Sequence, residues 1–110
     1  MNIKWTSTEL DKRSLYKHTR ASSVSLKDLD DGTIIDPAEI VIYEDVNMRG
    51  ETNIITSLVD VGGTHYTTNS KYFREELETI IEIMDGEAFQ LIVRKNVSKN
   101  GRTFVTCELA

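Results

Sequence analysis

Ala38-Glu39-Ile40-Val41-Ile42-Tyr43-Glu44-Asp45-Val46, then Thr52-Asn53-Ile54-Ile55-Thr56-Ser57-Leu58-Val59-Asp60, then Thr64-His65-Tyr66-Thr67-Thr68 are the runs that decide the fold of this chain. Each is rich in β-branched and aromatic residues, which pack well on a pleated surface. Residues 39–46, 52–60 and 64–68 therefore read as three strands. Asn47-Met48-Arg49-Gly50 separates the first two and Gly62-Gly63 the last two. Glycine tolerates positive φ, so both junctions read as tight turns. Three strands joined this way predict an antiparallel meander.

Downstream, Phe73, Leu77, Ile80, Ile81 and Met84 recur every three or four residues, which places them on one face of a helix. Glu75, Glu76, Glu78 and Glu82 fall mostly off that face, where a solvated surface suits them. Asn69 or Ser70 can cap the start, because a side-chain oxygen there accepts from a free backbone N–H. Asp85-Gly86 ends it, with Gly86 expected as the C-cap. Residues 89–94 and 103–109 then read as a hairpin around the basic loop Lys95 to Arg102, turning at Asn100-Gly101.

Upstream the pattern is weaker. Thr6-Ser7-Thr8-Glu9-Leu10 could cap a short helix running toward Tyr16. Ser22 to Leu29 reads as a strand or an extended arm, and Asp30-Asp31-Gly32 as a turn. Residues 1–31 are thus expected as an N-terminal extension.

A length of 110 residues suits a single domain spanning 1–110. No apolar run approaches the ~18 residues needed to cross a bilayer, and no signal-peptide core follows Met1, so a cytoplasmic protein without membrane contact is expected. The one cysteine, Cys107, excludes an internal disulfide and reads as a small core residue. With two histidines beside it, no structural zinc site or other cofactor is expected. Asp28, Asp30 and Asp31 lack the spacing of a calcium loop and read as a solvated turn. His18 and His65 have no nucleophile motif beside them, and no phosphate-binding loop is present, so no enzyme is expected.

The net charge of −5 is unevenly spread. Residues 1–27 carry six Lys/Arg and two Asp/Glu, or +4; residues 28–93 carry three and fifteen, or −12; residues 94–110 carry four and one, or +3. Two basic ends flank an acidic middle.

After residue 33 the predicted order is strand, strand, strand, helix, strand, strand. That is the order of an oligonucleotide-binding (OB) barrel: mainly β, five strands, with one helix between strands 3 and 4. Such barrels bind oligonucleotides and oligosaccharides with the face of strands 2 and 3 and with loops 1–2 and 4–5. Here those loops carry Arg49 in the first, and Lys95, Lys99 and Arg102 in the second, with Arg94 at its edge. A single strand needs cations for its phosphates and aromatic faces for its bases. Trp5, Tyr16, Tyr43, His65, Tyr66, Tyr72 and Phe104 are the candidate rings, of which Tyr43, Tyr66 and Phe104 are preferred and Trp5 is expected in a core or interface. Alternation places Phe104 on the face opposite Val105 and Cys107.

Thr68-Asn69-Ser70-Lys71-Tyr72-Phe73, leading into the helix, and Lys99-Asn100-Gly101-Arg102-Thr103-Phe104-Val105-Thr106-Cys107 carry a resemblance. Over residues 38–110 the chain resembles the small single-stranded DNA-binding proteins of bacteriophages and mobile elements of Gram-positive bacteria. The resemblance implies an OB fold, no enzymatic activity and a role in replication or recombination beside proteins of those processes. It maps the family's basic 4–5 loop onto Lys95, Lys99 and Arg102. The acidic middle supports a rival expectation, a protein-interaction module that inhibits or adapts a host protein by offering a negative surface to a basic groove. Exposed barrel edges and the N-terminal segment are places where chains could pair, and a dimer would bring two basic loops together.

Overall fold

A computed structural model describes residues 1–110. In chain order its elements are β1 (Asn2–Thr6), α1 (Lys12–Arg20), β2 (Val24–Ser25), a single 3-10 turn (Leu26–Asp28), β3 (Ile34–Ile35), β4 (Pro37–Val46), β5 (Thr52–Asp60), β6 (His65–Thr68), α2 (Lys71–Met84), β7 (Leu91–Val97) and β8 (Thr103–Leu109). The expected meander is β4–β5–β6, the expected helix is α2 and the closing hairpin is β7–β8. The fold is mainly β, as expected, but it has two helices rather than one. Its eight strands form a five-stranded sheet, β1-β4-β5-β6-β2, and a three-stranded sheet, β3-β7-β8. It is not a closed barrel.

Three hairpin turns share one design. Asn47 N–H donates to Glu51 C=O at 2.9 Å, Asp60 N–H to Thr64 C=O at 2.9 Å, and Ser98 N–H to Arg102 C=O at 2.8 Å. Gly50, Gly63 and Gly101 hold the fourth position at φ of 78°, 87° and 77°. This is a turn closed by a left-handed residue, which only glycine occupies without strain. The opening polar side chain braces each one: Asn47 Oδ1 accepts from Arg49 and Glu51 N–H, Asp60 Oδ1 from Gly62 and Thr64 N–H, and Ser98 Oγ from Arg102 N–H.

The two sheets meet at one bend. β3 pairs with β7 through Ile34↔Ile92 and Ile35↔Leu91, while β4, starting one residue later, pairs with β5 from Pro37↔Asp60 onward. Proline lacks the N–H that a continuous ladder would need, so the strand turns there from one sheet to the other. The enclosed core comprises Leu26, Ile35, Ile40, Leu58, Phe73, Leu77, Ile80, Leu91, Val93, Val105 and Cys107. Full burial of one such large side chain contributes about 1.5–3 kcal/mol. Cys107 is 1% exposed, and burial pushes its thiol pKa up to about 12. It is a core residue, as expected.

The apolar face of α2 closes this core through Phe73, Leu77 and Ile80. Ser70 caps the helix: its Oγ accepts from Phe73 N–H at 3.3 Å and donates to Val105 C=O at 2.7 Å. At the other end Asp85, not Gly86, takes the left-handed cap, with φ 46° and its N–H on Ile81 C=O. Aspartate tolerates this region better than most residues, and Gly86 follows at φ 89°.

Residues 1–31 are woven into the sheets rather than appended to them. β1 pairs antiparallel with β4 and β2 pairs parallel with β6. Leu26 reaches the core at 0% exposure. The helix in this region starts later than the sequence suggests. Ser7 is held by β4, its Oγ accepting from Ile40 N–H, so Asp11 is the cap instead and accepts from Ser14 N–H at 2.7 Å. Helix α1 then runs past Tyr16 to Arg20.

A buried polar chain docks α1 on the outer face of the meander. His18, Ser57 and His65 are 1%, 0% and 6% exposed. His18 Nδ1 lies 2.7 Å from Ser57 Oγ, and Ser57 Oγ lies 2.8 Å from His65 Nε2. The outer nitrogens face Glu39 Oε1 and Ser22 C=O, both at 3.2 Å. Burial lowers both imidazole pKa values, opposed at His18 by Glu39 and at His65 by the Ser22 carbonyl. Ser57 Oγ also lies 3.3 Å from the His18 carbonyl, so its single proton has three acceptor positions in reach. Glu39, His18 and Ser57 follow one another as in a catalytic triad, yet the Ser57 hydroxyl is fully enclosed and no substrate can reach it.

Candidate nucleic-acid interface

Hairpin β7–β8 carries most of the expected cations. Lys99 and Arg102 are exposed and Lys95 is half-buried, and none of the three pairs with a carboxylate. Arg94 differs from them: its guanidinium lies 3.6 Å from Asp31 and 3.3 Å from Glu108. Two acidic partners neutralise it, which makes it a brace for the hairpin base. Asp31 also accepts from Lys95 N–H at 2.9 Å, and Gly32 N–H donates to Val93 C=O at 2.7 Å. The acidic turn at residues 30–32 is therefore a clamp on β7, where the sequence suggests only a solvated turn.

Phe104 is opposite Asn96 in the ladder and half-buried on the face away from Val105 and Cys107, as alternation predicts. Its ring packs on Tyr72, with centroids 4.4 Å apart and planes inclined at 37°. Tyr72 stands in the first turn of α2 and is 56% exposed. Thr106 Oγ1 donates to Tyr72 C=O at 3.5 Å, and the Ser70–Val105 bond lies two residues earlier on the helix side. The Ser70–Val105 bond, with the weaker Thr106–Tyr72 contact, thus ties the start of α2 to β8 beside the two rings. Tyr72 is among the candidate rings of the sequence but not among those preferred. Its partner is 32 residues distant, so no local spacing signals the pair.

The other expected contacts separate. Arg49 is exposed in the β4–β5 turn, on the five-stranded sheet, without a carboxylate partner. Tyr66 lies on the inner face opposite Leu58, packs against the core, and donates to Asp60 Oδ2 at 3.4 Å. Burial and the Asp60 charge raise its hydroxyl pKa. Tyr43 is on the outer face but only 5% exposed, and burial raises its pKa too. A ring so enclosed offers no face to a base, which removes Tyr43 from the set in this conformation. Trp5, 37% exposed, lines two adjoining clefts of about 320 and 260 Å³ between β1, β4 and the Ile81 side of α2.

What remains is a basic hairpin beside a partly exposed aromatic pair on a β-rich scaffold. Comparison with known proteins gives this arrangement its family. The model of the family described as phage single-stranded DNA-binding protein matches residues 4–110, and the chain belongs to that family. It is a family of DNA-binding proteins, not a class of enzymes. No curated protein and no solved structure matches the chain. No helix is long and apolar enough to cross a membrane.

Proposed function

We propose that this chain binds single-stranded DNA during phage or mobile-element replication or recombination, as a cytoplasmic, non-enzymatic protein. The observation that carries the reading is family membership over residues 4–110. The binding edge is the β7–β8 hairpin with Lys95, Lys99 and Arg102, the Tyr72–Phe104 pair beside it, and Arg49 on the other sheet. Cations track the phosphates and the rings stack on bases.

The scaffold is read as one OB-like domain with its barrel left partly open. Strands β3 and β4 act as a single bent strand, shared between the sheets as the first strand of such a barrel is. Strands β4, β5 and β6 precede α2, and β7 and β8 follow it, in the order that the fold requires. The Ser70–Val105 bond bridges the side where β6 and β8 do not pair. A Cα radius of gyration of 13.6 Å, against about 13 Å for a compact chain of this length, supports one domain. Family membership favours this function over the acidic protein-interaction module.

Fluorescence anisotropy with an oligo-dT strand at low and raised salt tests the proposal. Affinity should fall with salt, because bound cations leave the phosphates as Lys and Arg replace them. Changing Lys95, Lys99 and Arg102 together to Ala should reduce the log–log salt slope by about 2, at roughly 0.7 per phosphate contact. Absence of binding at low salt overturns the reading.

A further inference from the structure

The fold turns a stretch of sequence that is basic throughout into a second surface. Residues 12–27 contain Lys12, Arg13, Lys17, Arg20 and Lys27 and no acidic residue, in a chain with 18 Asp and Glu among 110. None of the five pairs with a carboxylate. Lys17 has a structural partner, its Nζ donating to Gly63 C=O at 2.7 Å. Lys12, Arg13, Arg20 and Lys27 are exposed. Tyr16, on the same helix, is 65% exposed and adds an aromatic face.

The position of α1 matters more than its charge. The His18–Ser57–His65 chain lays it on the outer face of β4, β5 and β6, the face that an OB-like scaffold offers to an oligonucleotide. From its end, β2 runs beside β6 and leads to Lys27. A polar cleft of about 250 Å³ opens there, lined by Ser25, Lys27, Ile55, Thr67, Thr68 and Asn69. Asn69 stands three residues before Tyr72. The cleft therefore opens beside the segment that leads into α2 and next to β2, which follows α1 in the chain.

We propose that the bound single strand continues past the Tyr72–Phe104 pair, through this cleft beside Lys27, and onto α1, where Arg20, Arg13 and Lys12 receive its phosphates. The proposal rests on the reading of the chain as a single-stranded DNA-binding protein and extends its contact surface to the N-terminal segment. The net charge of −5 then has a simple accommodation. Most of the acidic residues lie between residues 28 and 93, while α1 and the β7–β8 hairpin concentrate cations, so the path is richer in cations than the chain as a whole.

The test compares the natural chain with a variant carrying Lys12→Gln, Arg13→Gln, Arg20→Gln and Lys27→Gln. Glutamine removes the charge while keeping helix propensity. Circular dichroism first establishes that the variant keeps its helix content and melting temperature; if it does not, the single changes Arg20→Gln and Lys27→Gln replace it. Anisotropy is then read on a short and a long oligo-dT. The expected result is a loss of about tenfold or more on the long strand and a salt slope smaller by up to about 3, with little change on the short strand. Unchanged affinity and slope on the long strand, while the hairpin variant of Lys95, Lys99 and Arg102 is weakened, overturn the inference and leave the function standing. A natural chain that binds neither strand overturns the function itself.

Discussion

In the proposed binding edge, Tyr72 and Phe104 are the residues that would stack on bases. Each ring is partly exposed, and each holds the other in place, so little rotamer freedom remains to be lost when a base stacks. Base–aromatic stacking is worth about 1–3 kcal/mol per base, so Tyr72→Ala should weaken oligo-dT binding by about 5- to 150-fold. Tyr72→Phe, which keeps the face and loses only the hydroxyl, should bind nearly as the natural chain does. Equal affinity for Tyr72→Ala and the natural chain would assign the ring to packing. Phe104 was legible in the sequence by alternation on β8. Its partner was not, because the contact joins a helix start to a distant strand.

Two elements set the geometry of the edge, the capped start of α2 and the β7–β8 hairpin. Ser70 serves both, as helix cap and as donor to the Val105 carbonyl of β8. Ser70→Ala removes the cap, at a cost of about 1 kcal/mol. It also leaves a half-buried carbonyl without its donor. The melting temperature should therefore fall by several degrees, and oligo-dT affinity should fall with it as the Tyr72–Phe104 pair loosens; a calorimetric melt and an anisotropy titration read the two effects. Unaltered melting would mean that the N-terminal turn of α2 is held by Phe73 packing alone. The hairpin and the helix were both legible as elements, since each has a clean period and a polar turn. The braces on the hairpin base, Asp31 to Lys95 N–H and to Arg94, were not, because a three-residue acidic turn has no pattern of its own.

At the scale of the whole molecule, the polar chain from Glu39 through His18, Ser57 and His65 to the Ser22 carbonyl ties β4, α1, β5, β6 and the segment before β2 together. Burial lowers the pKa of both rings in the folded protein, the Lys17 charge adds to the shift at each, and His18 adds to it at His65. The unfolded chain takes up protons on both below about pH 6.5. Below that pH the unfolded state holds more protons than the folded one, so stability falls as pH falls; above it the contribution is fully present. Denaturant unfolding between pH 7.5 and 5 should show this slope, and a His65→Asn variant should flatten it. A slope unchanged in the variant would shift the acid sensitivity to the carboxylates.

Local pattern was enough for the meander, α2, the closing hairpin and the core placement of Cys107, because period, β-branching and turn glycines act over a few residues. Local pattern also read Lys95, Lys99 and Arg102 as one basic loop, whereas Lys95 lies within β7 and only Lys99 and Arg102 stand at the turn. Only the tertiary structure decided that the chain forms two sheets joined at Asp36-Pro37, that residues 1–31 supply two strands and a helix to them, and that Tyr72 meets Phe104. It also neutralised Arg94 and enclosed Tyr43. Those outcomes rest on contacts between residues 14 to 63 positions apart, whose energies come from burial and pairing that no single stretch of sequence contains.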